Sequence, residues 1–230
     1  MSEQTTRALQ KLTGPHATSR VTYAGAPVVE ASYAMVLLHG RGASAEDILG
    51  LGPALAAGFE ARGAGEARKV MFAAPEAVGN TWYPQSFMAP IAQNEPYLSS
   101  AIGRIAALVA EIEAAGIARD RIVIAGFSQG ACLSSEFVAR HPARYAGVFA
   151  FTGGLVGPDG TDLHHAGELA GTPVLLSSGD PDPHVPWSRV VETGEQLTKM
   201  GAAVSMTRYP GRPHTVLPQE VAEARRLLGA

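Results

Sequence analysis

The chain has 230 residues, 46% hydrophobic and 17% charged, with 18 basic and 21 acidic side chains for a formal charge of −3. That much apolar material excludes a disordered chain, no short period or heptad marks a fibre, and the balanced charge carries no nucleic-acid footprint or polybasic membrane anchor. A single cysteine, Cys132, excludes an internal disulfide and a Cys₄ or Cys₂His₂ zinc site.

Residues 1–20 are polar and weakly patterned, and read as a loose arm or a strand that pairs late. They lack the apolar core of a signal peptide, and the longest apolar runs, such as Ile105–Ala110, fall far short of the roughly 20 residues that span a bilayer. A soluble cytoplasmic protein is expected. Val28–Val29 and Ala34–Leu38 read as strands, the second ending at His39-Gly40-Arg41-Gly42. Ser44 is placed to cap a short helix over Ala45–Leu51, and Pro53–Ala61 to begin another. Lys69–Ala73 is a strand, after which Pro75 opens a long irregular stretch rich in aromatics. From Glu95 to Ala115, Ile102, Ile105, Val109 and Ile112 recur at three- and four-residue spacing and build one helical stripe, with Gly116 to stop it.

Arg121–Ala125 is a continuous apolar strand, followed by Gly126-Phe127-Ser128-Gln129-Gly130 and a helix to Arg140. Gly147–Phe151 and Pro173–Ser177 are further buried strands, Pro186–Met200 is helical, Val204–Tyr209 a strand and Pro218–Leu228 a final helix. Unbroken apolar strands alternating with helices indicate an α/β fold with a mostly parallel sheet covered on both faces. No linker or repeat divides the chain, so residues 21–230 are read as one domain with no separate lid domain.

G-x-S-x-G alone is a weak pattern, since Gly and Ser are common in turns. Between an apolar strand and a helix rich in small residues it becomes the setting of a nucleophile elbow. A serine hydroxyl needs a base, and the base needs an orienting acid. Both partners should follow in chain order, each after a later strand. Asp180 and Asp182 follow the strand at Pro173–Ser177, and His214 follows the strand at Val204–Tyr209. Asp182 comes 54 residues after Ser128, and His214 32 residues after Asp182. Spacing separates the two aspartates only slightly, in favour of Asp182, and either could instead cap the helix near Pro186.

The other histidines have plainer readings: His16 and His141 as surface residues, His164 and His165 in a polar loop of open role, and His184 at the rim of the acid loop. The oxyanion of a tetrahedral intermediate needs two backbone donors. One is expected from Gln129 and the other from Arg41, whose glycine-rich loop lacks the spacing and the lysine of a nucleotide cradle. No cofactor or metal is called for. Trp82, Tyr83, Phe87 and Met88 either wall a substrate pocket or pin a long loop to the core, and Val185 joins the expected wall. Arg104 and Glu111–Glu113 read as a solvated helix face, and Cys132 as a packing residue.

Leu37-Leu38-His39-Gly40-x-Gly42, the Phe-Ser-Gln-Gly elbow, Gly179-Asp180-x-Asp182-Pro183-x-Val185-Pro186 and His214 together resemble the phospholipase/carboxylesterase branch of the α/β-hydrolases, which includes the acyl-protein thioesterases. The resemblance runs from about residue 33 to the end of the chain. It implies that the acid is Asp182, directly before Pro183, and that Arg41 and Gln129 supply the oxyanion donors. Two departures leave the substrate open. Arg41-Gly42-Ala43-Ser44 stands where thioesterase members usually carry a Gly-Asp pair, and the segment from Asn80 to Met88 differs from theirs.

The expectation is a serine carboxylesterase acting on small or medium acyl or aryl esters, through Ser128, Asp182 and His214. Thioester or lysophospholipid hydrolysis by the same triad and a catalytically silent ligand-binding fold are the alternatives. The expected partner is a small ester substrate, with no nucleic acid and no integral membrane association. The oligomeric state, a homodimer included, is left open.

Overall fold

A computed structural model describes residues 12–59 and 68–229. The expected polar arm lies outside the described residues as far as residue 11. Residues 12–20 are not loose but held against the domain: the His16 N–H donates to Ser100 Oγ (2.8 Å), which donates in turn to the Thr13 carbonyl.

Among the described residues the sheet has seven strands: β1 (Val21–Gly25), β2 (Tyr33–Leu38), β3 (Val70–Pro75), β4 (Ile122–Phe127), β5 (Gly147–Phe151), β6 (Pro173–Asp180) and β7 (Ala203–Pro210). Their order is β1-β3-β2-β4-β5-β6-β7, with β1 antiparallel to β3 and the other pairings parallel. The strand expected at Val28–Val29 is a turn instead, and Val29 is 87% exposed. The Pro27 carbonyl accepts from the N–H groups of Glu30 and Ala31, which closes the turn and leaves the edge pairing to Val21–Gly25.

Among the described residues, six α-helices cover the sheet: α1 (Ala45–Leu49), α2 (Leu51–Ala56), α3 (Tyr97–Ala114), α4 (Gln129–Arg140), α5 (Trp187–Lys199) and α6 (Pro218–Leu227). Ser44 caps α1 in a reciprocal arrangement with Asp47. Side chains alternate across a strand, so β2 sends Ala34, Val36 and Leu38 into one core and Met35 and Leu37 into the other. The first core packs against α3, α4 and α5, the second against α1, α2 and α6. Along α3, Ile105, Leu108, Val109 and Ile112 are buried, each worth roughly 1.5–3 kcal/mol relative to exposure.

Arg104 corrects the expectation of a solvated face. It is 8% exposed, donating from Nε to the Ser19 carbonyl (3.2 Å) and pairing with Glu111, because residues 12–20 lie across this part of α3. Leu38 is level with Gly126, Phe127 with Phe151, and Asp180 with Pro210. The carboxyl ends of β2, β4, β6 and β7 therefore open on one edge of the sheet, where open α/β folds place their ligand sites.

Candidate active site

The turn from β4 into α4 is tight. Ser128 takes φ 56° and ψ −119°, a backbone that a side-chain-bearing residue adopts only when its surroundings enforce it. Here the Ser128 N–H donates to the Phe151 carbonyl (2.9 Å), and the Ser128 carbonyl accepts from Ala131 and Cys132. A Cβ on Gly126 would stand against the carbonyl of Gly130, and one on Gly130 would strike the carbonyl oxygens of Leu38 and His39. Only glycine at both positions lets the turn close so near the sheet.

Two further loops meet Ser128. After β6, Asp182 Oδ1 accepts from the backbone N–H groups of His184 (2.9 Å) and Val185 (3.0 Å), which turns its other oxygen toward the end of β7. There Asp182 Oδ2 lies 2.8 Å from His214 Nδ1, and His214 Nε2 lies 2.9 Å from Ser128 Oγ. With the proton on Nδ1 donated to Asp182, Nε2 is free to accept the Ser128 hydroxyl proton. Burial works against the Asp182 carboxylate. The hydrogen bonds from His214, His184 and Val185, with the attraction of His214, outweigh it and hold the carboxyl below its ordinary range. Asp180 faces elsewhere and pairs with Arg208 on β7.

The His214 loop rests on a buried polar network that sequence reasoning missed. Arg212, 5% exposed, donates to Thr152 Oγ1 (2.6 Å) and to the Thr215 carbonyl, and its Nη2 lies 3.6 Å from Glu220 Oε1. Glu220 is fully buried and also accepts from Ser177 Oγ (2.6 Å) and the Leu217 N–H (2.7 Å). The one available signal was the placement of an arginine two residues before His214. The rings of Phe127 and His184 flank His214, each with its centroid 4.9 Å away.

Gln129 opens α4, where the first N–H groups of a helix have no intrahelical acceptor. Among the described residues, neither its backbone N–H nor that of Arg41 donates to a protein acceptor. Both are thus available to an oxygen bound beside Ser128, and the positive end of α4 favours negative charge there.

A cleft of about 550 Å³ adjoins Ser128 and His214. Tyr83, Phe87 and Val185, three of the expected wall residues, line it together with Phe127, Cys132 and Pro183. Trp82 and Met88 do not. Trp82 is fully buried because its indole N–H donates to the His39 carbonyl (2.9 Å), and Met88 packs against the core instead. Burial pushes the Cys132 thiol up to about 12, which keeps it protonated and consistent with a packing role.

His16 corrects the surface reading. It is fully buried: Nε2 donates to the Trp82 carbonyl (3.0 Å) and Nδ1 accepts from the Val78 N–H (3.1 Å). His39 acts alike, with Nδ1 donating to the Gly40 carbonyl and Nε2 accepting from Ala77 (3.1 Å). His141 is half-buried and stacked on Phe137. His165 lies 4.0 Å from Glu136, which is buried and already bonded to Arg140 and Val156. Among the described residues, no three His, Cys, Asp or Glu side chains form a metal-ligating group, and no helix is long and apolar enough to cross a membrane.

Residues 24–229 match the family described as phospholipase/carboxylesterase. Acyl-protein thioesterase 1 of Gibberella zeae is 31% identical over 122 residues, which cover 49% of this chain and 49% of that protein. The chain spans about half the length of the first curated relatives it matches. A solved phospholipase/carboxylesterase from Dyadobacter fermentans is 43% identical, with a TM-score of 0.86 and coverage of 95% of this chain and 100% of that one. The structure of esterase PE8 is 26% identical, with a TM-score of 0.73 and coverage of 91% and 98%.

Proposed function

The chain belongs to the phospholipase/carboxylesterase family of α/β-hydrolases, and from that premise we propose that it is a serine ester hydrolase whose triad is Ser128, His214 and Asp182. The observation that carries this reading is the line of hydrogen bonds from Asp182 through His214 to Ser128.

The steps follow from that geometry. His214 Nε2 takes the proton from Ser128 Oγ as the oxygen attacks the ester carbonyl carbon. Asp182 holds the imidazole in the tautomer that leaves Nε2 free, and stabilises the imidazolium that forms. The carbonyl oxygen becomes an oxyanion, received by the backbone N–H groups of Arg41 and Gln129. His214 then gives its proton to the departing alkoxide, leaving an acyl group on Ser128. Water, deprotonated by His214, attacks the acyl carbon. The second tetrahedral intermediate expels Ser128 Oγ, which recovers its proton from His214.

The apolar wall of Tyr83, Phe87, Phe127 and Val185 suits small to medium acyl or aryl esters. The name of the Gibberella zeae relative adds thioesters as a second substrate class for the same site. A silent ligand-binding fold gives no reason to hold Ser128 in an unfavourable backbone conformation within hydrogen-bond reach of the His214 ring.

Turnover of a chromogenic ester by Ser128→Ala is the test. We expect a loss of about 10⁶-fold in kcat, the scale for removing a triad nucleophile. Turnover retained within tenfold of the wild type would refute the triad.

A further inference from the structure

The side chains of Arg41 and Gln129 do something that their backbone role does not require. The Arg41 guanidinium donates to four acceptors on one short segment. Nη1 bonds Thr81 Oγ1 (3.1 Å) and the Pro84 carbonyl (2.9 Å), and Nη2 bonds the carbonyls of Tyr83 (3.0 Å) and Gln85 (2.7 Å). The Gln129 carboxamide bonds the same segment. Its Oε1 accepts from the Trp82 N–H (2.9 Å) and its Nε2 donates to the Tyr83 carbonyl (2.8 Å). The Tyr83 oxygen thus accepts from both residues at once, which its two lone pairs allow. The Gly42 N–H and the Ala43 carbonyl also bond Asn80, through its carbonyl (2.7 Å) and its Nδ2 (2.8 Å).

We propose that the Arg41 guanidinium is a positioning residue for the oxyanion site: it clasps residues 81–85 so that its own backbone N–H and that of Gln129 are held at fixed separation through the Tyr83 carbonyl. The proposal rests on the serine-hydrolase reading above and deepens it. Arg41 and Gln129 come from the ends of different strands, and no direct hydrogen bond joins them among the described residues. The loop after β2 has no helix or strand to fix it until Ala45. An oxyanion donor is effective only when it is aimed before charge develops. The clasp supplies that aim from a planar group whose paired N–H donors spread over several carbonyls at once, a geometry that an ammonium cannot reproduce.

The test uses the whole chain and a neutral ester such as p-nitrophenyl butyrate, comparing wild type, Arg41→Ala and Arg41→Lys. A misaimed donor lowers kcat by about 10–10²-fold, the scale of an ångström-sized misplacement. We expect that loss in both variants, with KM within about twofold and the pH–rate profile unmoved, because the histidine and its acid are untouched. Methylguanidinium is expected to restore part of the loss in Arg41→Ala. Combining Arg41→Ala with Gln129→Ala should cost much less than the product of the single losses, because both act on one segment. Near-UV circular dichroism checks that each variant is folded, and Arg41→Lys decides if Arg41→Ala is not.

Wild-type kcat in Arg41→Lys would show that charge alone suffices, and would overturn the clasp. So would a loss confined to KM, or a shifted pH profile. Ser128→Ala, run alongside, separates the two claims. If Ser128→Ala stays active, the hydrolase reading fails. If it is inactive while both Arg41 variants match the wild type, only the clasp fails.

Discussion

The two sides of the cleft are built by different means. On the side formed by the ends of β6 and β7, charged and ring side chains act on one another: Asp182 on His214, Arg208 on Asp180, and Arg212 beside Glu220. On the side formed by the ends of β2 and β4, side chains act on backbone. Arg41, Gln129, His16 and His39 spend their hydrogen bonds mainly on carbonyl and N–H groups of residues 77–85. The first arrangement can move a proton, and the second can hold dipoles still. The proposed serine-hydrolase chemistry needs both, and this chain keeps them on separate loops.

The sharpest way to break that comparison is to remove charge on the first side. Asp182→Asn leaves the shape of the loop but favours the wrong imidazole tautomer, and kcat is expected to fall by about 10⁴-fold, the scale known from a model triad. Asp180→Asn loses only the pair with Arg208 and should stay within about threefold of wild type, since exposed pairs contribute about 0–1 kcal/mol. Steady-state rates of the two variants at one pH check both. Equal losses would mean that the acid has been misassigned.

A smaller effect tests the second side. Burial lowers the pKa of His16 and His39 from 6.5, and bonding to a backbone carbonyl only partly offsets it. Each must stay neutral, because its acceptor nitrogen takes a backbone N–H from residue 78 or 77. In the unfolded chain both would protonate near 6.5, so below that pH the unfolded state binds more protons and folding stability falls. His141 and His165, also lowered by burial, act in the same direction. Urea unfolding between pH 7.5 and pH 5 is expected to show stability decreasing as acid is added, with a shallower slope in His16→Gln. A flat or rising stability on acidification would contradict the neutral histidines.

The same contrast explains what was legible in the sequence. The elbow, the acid loop and His214 stood out because proton transfer demands particular residue types at strand ends in a fixed order. The parallel α/β layering was legible too, since β2, β4 and β5 are apolar on both faces. Between Asp180 and Asp182 the spacing was nearly silent, and the distinction is one of direction: one carboxylate turns to Arg208, the other to His214. The backbone-clasping side left almost no signature. Nearly every residue offers a carbonyl and an N–H, so nothing in the sequence pairs Arg41 with the Tyr83 carbonyl or His16 with the Val78 N–H. Aromatic residues were ambiguous for a related reason. Trp82 and Phe87 are both large and apolar, but only Trp82 has an N–H that ties it inward to His39. The edge strand was misplaced because Val28–Val29 looks apolar locally, while the turn at Pro27 forbids pairing there.

The central claim is that Ser128 carries the acyl group during turnover. Intact-mass spectrometry of the protein acid-quenched during hydrolysis of a slow ester, followed by peptide mapping, tests it directly. The expected result is one added acyl mass on the peptide holding Gly126–Gly130, assigned to Ser128 and missing from Ser128→Ala. An adduct on another residue, or hydrolysis of the ester by Ser128→Ala at the wild-type rate, would contradict it.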